Sequence, residues 1–216
     1  MKKILYSVAL AACCMGTMTS CSDFLDASNK SNVTAKQSFA TKEGLNNLVN
    51  NAYQHLQNVY AAPLFTSCFS AGTDMYADAR NKMNEALNTY ETLTPENTDI
   101  KNLYTYLYSG IRAANSVSYY AQTAQVDEKT KGQLVGEARV LAAYEYYLLV
   151  NNFGGVPIMK DFLTTADTGY PKSSAEDVYA YIISELEDVI SKNVLQASTA
   201  TKGGGRISQE TAKAIL

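Results

Sequence analysis

Apolar residues recur at the three-and-four spacing of amphipathic helices along most of the chain. In the first such segment they occupy one face up to Tyr60, and Thr41 stands where a side chain would cap the first turn. Pro63 lies just beyond, and the stretch 64–82 is irregular. The pattern predicts a helix followed by a loop with short helical pieces. The residues of the apolar face are Leu45, Leu48, Val49, Ala52, Tyr53, Leu56 and Tyr60.

A second and a third helix are predicted from the same periodicity. Thr94 is the expected N-cap and Pro95 the first residue of the second helix, which should end near Thr123. The third helix should run from Gln133 to Phe153, where two glycines and then a proline end it.

Two further helices follow toward the end of the sequence. Ser173 and Glu176 form a capping box that begins the fourth helix, which is predicted to end near Asn193. A polar connector then leads to Ser208, the expected N-cap of a fifth helix. The sequence stops after the second turn of that helix, which is too short to be stable alone. We therefore expect the chain to be the N-terminal part of a longer protein.

The spacing of the helices indicates a repeat architecture. The last three predicted helices begin roughly 35 to 40 residues apart, close to the 34-residue period of tetratricopeptide helix pairs. One amphipathic pair cannot cover its own apolar face, so stacked pairs share a core. The expected fold is all-α, a tetratricopeptide-like helical-repeat scaffold with long irregular loops, truncated at the C-terminus.

The first twenty residues have the pattern of an export signal. Lys2 and Lys3 precede an apolar run, residues 4–18, that is too short to span a bilayer. Small residues stand directly before Cys21, as a lipoprotein signal peptidase requires. Residues 1–20 are therefore predicted to be a lipoprotein signal peptide, with Cys21 as the lipidated N-terminus. The alternative is ordinary secretion, with Cys21 left as a free thiol.

The residues after Cys21 are acidic and then polar. Residues 21–36 are predicted to be an acylated N-terminus and a flexible tether, and residues 37–216 the helical domain. Several acyl chains on one N-terminus would hold the protein permanently at a membrane.

Composition excludes several classes of function. The net charge is -3 and the basic residues are dispersed, which argues against nucleic acid as a partner. Of the four cysteines only Cys21 and Cys68 would remain after signal removal, so no disulfide framework is expected. The 16 tyrosines and the single histidine favour contact surfaces over acid–base chemistry.

One segment carries a specific family resemblance. The residues from Gly136 to Pro157, GEARVLAAYEYYLLVNNFGGVP, resemble the signature of the SusD/RagB family. Cys21 followed by an acidic stretch, and Gly205-Arg206-Ile207-Ser208 before the last helix, fit the same family. The resemblance implies an outer-membrane, surface-facing nutrient-binding lipoprotein. It would bind a glycan or oligosaccharide and deliver it to a TonB-dependent, SusC-like transporter.

The signature itself is interpreted as scaffold rather than as a site. Tyr144, Tyr146 and Tyr147 stand at helical spacing among aliphatic residues, which is typical of core packing. Glu137 and Arg139 are expected to tie neighbouring elements together by charge-assisted hydrogen bonds.

The loop after the first helix is the predicted ligand site. Sugar binding needs an aromatic face for the ring and planar polar groups for paired hydroxyls. The residues of that kind, in the position where family members often contribute ligand contacts, are Asp74, Tyr76, Asp78, Arg80 and Asn81. The alternative is a solvated loop whose charged side chains make local turns.

Enzyme chemistry has weaker support. The carboxylates Glu185, Glu187 and Asp188 could form an acid–base pair but are typical of a solvated helix face. His55 stands without further metal ligands, so no metal site is predicted. The glycines at 203–205 lack the spacing of a phosphate loop, and no cofactor is expected.

Three classes of function stay open: a transporter-associated nutrient-binding lipoprotein, a lipid-anchored scaffold that binds only other proteins, and a surface hydrolase. The family signature favours the first. The sequence names no particular glycan.

Overall fold

The computed structural model describes residues 34–61, 63–76, 85–165, 169–198 and 205–216. These residues are helical or irregular and contain no β-strand, which confirms the predicted all-α class. Residues 35–216 belong to one compact unit. The helices are α1 (Ala35–Ser38), α2 (Lys42–Tyr60), α3 (Leu64–Phe69), α4 (Glu85–Thr89), α5 (Thr98–Ala121), α6 (Glu128–Phe153), α7 (Ala175–Lys192) and α8 (Gln209–Ile215).

The four long helices pack in chain order. α2 packs on α5, α5 on α6 and α6 on α7, and α2 also contacts α6. The short α3 packs against α5 and α2, and α8 against α7. Within the part of the chain that is described, no helix has both the length and the apolar character needed to cross a membrane.

Several predicted helix ends are confirmed. The backbone N–H of Gly44 donates to Thr41 Oγ1 over 3.1 Å, so Thr41 caps α2 as expected. α7 ends at Asn193, which adopts the left-handed conformation that asparagine tolerates. Ser208 caps α8 by accepting from the backbone N–H of Thr211. α3 is one of the short helical pieces expected in the loop after Pro63.

The predicted start of the second long helix is wrong. α5 begins at Thr98 rather than at Pro95, because Asn97 is its cap. The Asn97 side-chain oxygen accepts from the backbone N–H groups of two first-turn residues, at 3.0 and 3.2 Å. Thr94 instead begins a turn, with its carbonyl bonded to the Asn97 N–H.

The starts of two other helices also differ from the prediction, because a residue other than the predicted one caps each helix. α6 begins at Glu128 rather than at Gln133, because the Asp127 carboxylate caps it by accepting from Thr130 N–H at 2.9 Å. α7 is capped by Ser174, one residue after the predicted Ser173, and its hydroxyl accepts from Asp177 N–H at 3.0 Å.

α6 is the central helix of the bundle. It has 26 residues, of which 13 are buried, because α2, α5 and α7 all pack against it. Tyr146 is fully buried, as expected for a core tyrosine. Tyr147 is 43 % exposed, so its predicted place in the core is wrong. It follows Tyr146 directly and therefore points to a different side of the helix.

The segment after α6 turns back along α5. Tyr108 on α5 donates its hydroxyl to the Pro157 carbonyl at 2.7 Å, and the Asn115 amide donates to the Met159 carbonyl at 2.8 Å. From α6, the hydroxyl of Tyr146 accepts from Met159 N–H at 2.7 Å. These bonds hold an irregular segment against two helices, so its backbone polar groups are satisfied without a strand.

Glu137 has the tying role that was predicted for it. Its carboxylate is fully buried and meets Arg206 Nε at 2.7 Å, in the segment before α8. The Tyr53 hydroxyl donates to the same oxygen at 3.2 Å, and the Gln133 amide donates to the other at 3.1 Å. The buried carboxylate thus joins α2, α6 and the segment before α8.

Glu145 is the second fully buried carboxyl of α6. Neither of its oxygens has a hydrogen-bond partner in the described residues. It faces Gly110 on α5, where an added Cβ would lie 1.8 Å from Glu145 Oε1. Burial raises the pKa of this carboxyl well above its ordinary value. The side chain is therefore held in its neutral form.

This state of Glu145 predicts a pH-dependent stability. The folded protein keeps the proton, whereas the unfolded chain releases it above about pH 4.5. Stability is therefore lost as the pH rises above that value, by up to about 1.4 kcal/mol per pH unit. Glu145→Gln keeps the shape of the side chain but cannot ionise in the unfolded chain. The free energy of unfolding of this variant, relative to that of the original protein, should therefore increase from pH 4 to pH 8. Urea unfolding across this range measures the difference.

The exposed Glu187 on α7 provides the matched control. Glu187→Gln makes the same replacement at an exposed position, and at pH 8 it should change the stability much less than Glu145→Gln does. A pH-independent effect of Glu145→Gln would contradict the neutral buried carboxyl.

Candidate ligand-binding surface

The loop after α3 carries the predicted site residues that the structure describes. Asp74 is exposed and forms no hydrogen bond or ion pair with the described residues. Met75 beside it is 89 % exposed, and Tyr76 is half-buried. The other three predicted residues, Asp78, Arg80 and Asn81, lie outside the described residues, as does Cys21.

A second tyrosine, Tyr90, directly follows α4 and contacts this loop. Tyr90 is 59 % exposed, and its hydroxyl donates to the Gly72 carbonyl at 3.5 Å. The Gly72 N–H in turn donates to the Asn88 side-chain oxygen at 3.4 Å. The two contacts hold the Tyr90 ring beside the turn that presents Asp74 and Tyr76.

The backbone at Tyr90 is strained. Its φ is 65°, in the left-handed region that is uncommon for a residue other than glycine, asparagine or aspartate. Such a conformation costs on the order of 1–3 kcal/mol, and strained residues cluster at ligand-binding positions. Tyr90 follows the last residue of α4, where glycine would commonly stand.

A cavity of about 340 Å³ lies beneath the loop. Leu87 and Leu103 line its floor, whereas Tyr90 and Asn152 contribute polar groups. Cys68 also lines it, and burial raises the pKa of the thiol to about 11, so the thiol is protonated and unreactive at neutral pH. The surface therefore combines the Tyr90 ring, the Asp74 carboxylate and the side-chain amides of Asn88 and Asn152 beside a partly apolar cavity.

Two of the three carboxylates considered for acid–base chemistry, Glu185 and Asp188, form ion pairs, whereas Glu187 is exposed. Arg139 Nε meets Glu185 Oε2 at 2.7 Å, and the same guanidinium binds Asp188. Hydrogen bonds from Lys192 and Arg139 hold the pKa of Asp188 below its ordinary value. These groups tie α6 to α7, as expected for Arg139.

His55 lies on α2. Its Nδ1 is buried without a partner among the described residues, and burial lowers its pKa. No three histidine, cysteine, aspartate or glutamate side chains in the described ranges come together as metal ligands.

Sequence reasoning missed Tyr90 and Asn88. Both lie in an exposed polar stretch, where an aromatic residue was the only available signal. Their proximity to Gly72 depends on a tertiary contact between α4 and the loop after α3, and a local sequence pattern does not reveal such a contact.

Comparison with known proteins identifies the family. Residues 23–216 match the model of a SusD-like family described as starch-binding and associating with the outer membrane. This chain belongs to the SusD-like family. The signature from Gly136 to Pro157 lies within the matched range, and most of its residues belong to α6.

Individual relatives of this SusD-like chain agree with the assignment. It is 28 % identical over 190 residues to SusD-like protein P38 of Formosa agariphila, covering 86 % of this chain and 36 % of the relative. Surface glycan-binding protein A from Bacteroides uniformis is 26 % identical, with a TM-score of 0.68 over 80 % of this chain and 40 % of that protein.

A third match supports the fold. A laminarin-binding SusD-like protein superposes with a TM-score of 0.68 at 22 % identity, over 80 % of this chain and 38 % of that protein. The SusD-like chain described here thus spans two fifths or less of the length of each of these three relatives.

The fit of Gly72 against Tyr90 gives a prediction about the loop of this SusD-like protein. Gly72 has a φ of 76°, and an added Cβ would lie 2.0 Å from the Tyr90 hydroxyl oxygen and 2.7 Å from the Leu87 carbonyl oxygen. Gly72→Ala should therefore both strain the backbone and displace Tyr90, at a cost above about 1 kcal/mol. Thermal or urea unfolding measures the cost.

Gly205 is the control, because its φ is 66° and an added Cβ would meet nothing within 4 Å. Gly205→Ala measures the cost of a positive φ without the clash. Equal costs for the two substitutions would show that Tyr90 does not pack on Gly72.

Proposed function

We propose that this protein is a cell-surface glycan-binding lipoprotein that delivers its ligand to a partner TonB-dependent outer-membrane transporter. The observation that carries the proposal is the match of residues 23–216 to a starch-binding, outer-membrane-associating family. Glycan binding by the Bacteroides uniformis relative and laminarin binding by another agree with it.

The surface around Tyr90 has the chemistry that glycan binding needs. The exposed ring offers a flat apolar face, and Asp74 offers a carboxylate that has no competing partner among the described residues. The hydrogen bond to Gly72 fixes the ring in advance, so little side-chain entropy is lost when a sugar stacks on it. Such a site holds a ligand and leaves its bonds intact.

A lipid anchor fits this role. Acylation of Cys21 would keep the helical domain at the membrane that contains the transporter, while the polar residues between Cys21 and α1 act as a tether.

A second candidate function is a lipid-anchored helical-repeat scaffold that binds proteins without binding glycans. It is favoured by an exposed aromatic cluster formed by Tyr60, Phe65 and Tyr147. The Tyr60 ring packs 5.5 Å from that of Phe65, and its hydroxyl bonds to that of Tyr144. Aromatic residues of this kind are enriched at protein interfaces.

Glycan binding is tested by replacing Tyr90 in the intact protein. Tyr90→Asn removes the ring but suits the left-handed backbone, so the loop should stay folded. Affinity for soluble starch or laminarin, measured by calorimetry, should fall by about 10-fold or more, corresponding to about 1.4 kcal/mol. The double change Asp74→Ala with Tyr76→Ala should also weaken binding without unfolding the protein.

Tyr179 on α7 is a suitable control, because it is also an exposed tyrosine but lies outside the loop. Tyr179→Asn should leave the affinity unchanged. If all these variants bind equally well, the glycan site lies elsewhere. If the unaltered protein binds no glycan and copurifies with a protein other than a transporter, the scaffold function is favoured.

The anchor is tested separately. Cys21→Ala removes the acceptor of the lipid, so the protein should move from the membrane fraction to the soluble fraction, as detected by fractionation and immunoblotting. A Cys68→Ala variant should stay in the membrane fraction. Retention of the Cys21→Ala protein in the membrane would contradict the proposed lipidation.

A further inference from the structure

A second groove, of about 630 Å³, runs along the exposed side of α5. One side of α5 supplies Tyr104, Thr105, Tyr108, Ser109 and Arg112 to its wall, and Tyr170 closes it from the segment after α6. The groove is distinct from the loop around Tyr90 and contains none of the residues predicted as a ligand site.

The aromatic wall of the groove is held in place before any ligand binds. The rings of Tyr104 and Tyr108 are 4.8 Å apart between centroids and inclined by 47°. The Tyr108 hydroxyl is fixed to the Pro157 carbonyl at 2.7 Å, and Phe153 packs edge-on against Tyr104 at 5.1 Å. A ligand therefore meets a fixed surface, which lowers the entropic cost of binding.

Arg112 at one end of the groove differs from the other described arginines. Arg139 and Arg206 each form ion pairs with carboxylates. Arg112 is exposed, and no described carboxylate comes within 4.0 Å of it. Asp161 lines an adjoining cavity of about 150 Å³ together with Arg112, but the two form no ion pair.

The Arg112 guanidinium is nevertheless positioned. It lies 5.4 Å from the centre of the Phe162 ring, and one of its nitrogens donates to the Leu163 carbonyl over 3.5 Å. Of the described residues that line the groove, Arg112 is the one with a charge. The groove thus contains a cation whose hydrogen-bonding capacity the described residues leave largely unused.

We propose that this groove binds an acidic sugar residue, a uronic acid, within the glycan. Its carboxylate meets the Arg112 fork, which matches a carboxylate in shape and charge. The Tyr104 face packs on the sugar ring. The Ser109 hydroxyl is placed to bond the sugar hydroxyls. The inference rests on the proposed glycan-binding function and adds the chemical class of the ligand.

The position of Phe153 links the groove to the first surface. Its ring lines the cavity beneath Tyr90 and also packs against Tyr104 in the groove wall. One side chain therefore supports both surfaces.

Calorimetry with the intact protein tests the inference, using oligogalacturonate as the acidic probe and malto-oligosaccharide as the neutral one. Oligogalacturonate should bind, and more weakly as salt is added, because a charge pair is screened. Arg112→Gln should lower its affinity by at least 10-fold, and Arg112→Lys by less, since the charge remains but the fork is lost. Lys101→Gln, which removes an exposed cation outside the groove lining, should change it less than 2-fold.

The outcomes separate the two proposals. If malto-oligosaccharide binds and oligogalacturonate does not, the acidic-sugar groove is wrong and glycan binding stands. If oligogalacturonate binds equally well to the Arg112→Gln protein, the site of the acidic sugar is not this groove. If neither probe binds to the unaltered protein, nor starch or laminarin, glycan binding itself fails.

Discussion

The packing of α2, α5 and α7 against α6, which buries half of its residues, is the constraint on which the rest of the fold depends. A helix surrounded by three others must either be apolar or have a partner for each polar group, because an unpaired buried group is costly. Glu137 meets this requirement through Arg206, which comes from a segment far along the chain. Removing one member of such a buried pair typically costs about 3–5 kcal/mol. The pair therefore fixes where the segment before α8 can lie.

Glu145 meets the same constraint in a different way. It has no partner among the described residues, so it stays neutral, and Gly110 provides the space for its carboxyl group. The close approach of α5 and α6 at Gly110 also sets the position of the α5 side that bears Tyr104 and Tyr108. The geometry of the groove therefore depends on how α5 packs against α6.

The sequence predicted features that depend on neighbouring residues in the chain, such as helix caps. It missed features that depend on tertiary contacts. The caps Thr41 and Ser208 were predicted because each acts within its own first turn. Thr94 was predicted as the cap because threonine followed by proline is a common helix start. The cap is instead Asn97, whose side-chain oxygen accepts from two first-turn N–H groups. Asp74 and Tyr76 were predicted on a loop, and the described loop presents them. Tyr90 was missed because its position depends on contact between α4 and Gly72.

The same distinction explains why tyrosine suits both surfaces. A tyrosine ring has few rotatable bonds, and one hydrogen bond from its hydroxyl fixes its orientation. Tyr90 is fixed by Gly72 and Tyr108 by Pro157, each from outside its own helix or turn. The ring orientations are thus fixed by backbone carbonyls of irregular segments, the loop after α3 and the segment after α6. Both fixing contacts are made to backbone carbonyls, but the contact of Tyr90 also requires glycine at position 72, because an added Cβ there would lie 2.0 Å from the Tyr90 hydroxyl oxygen.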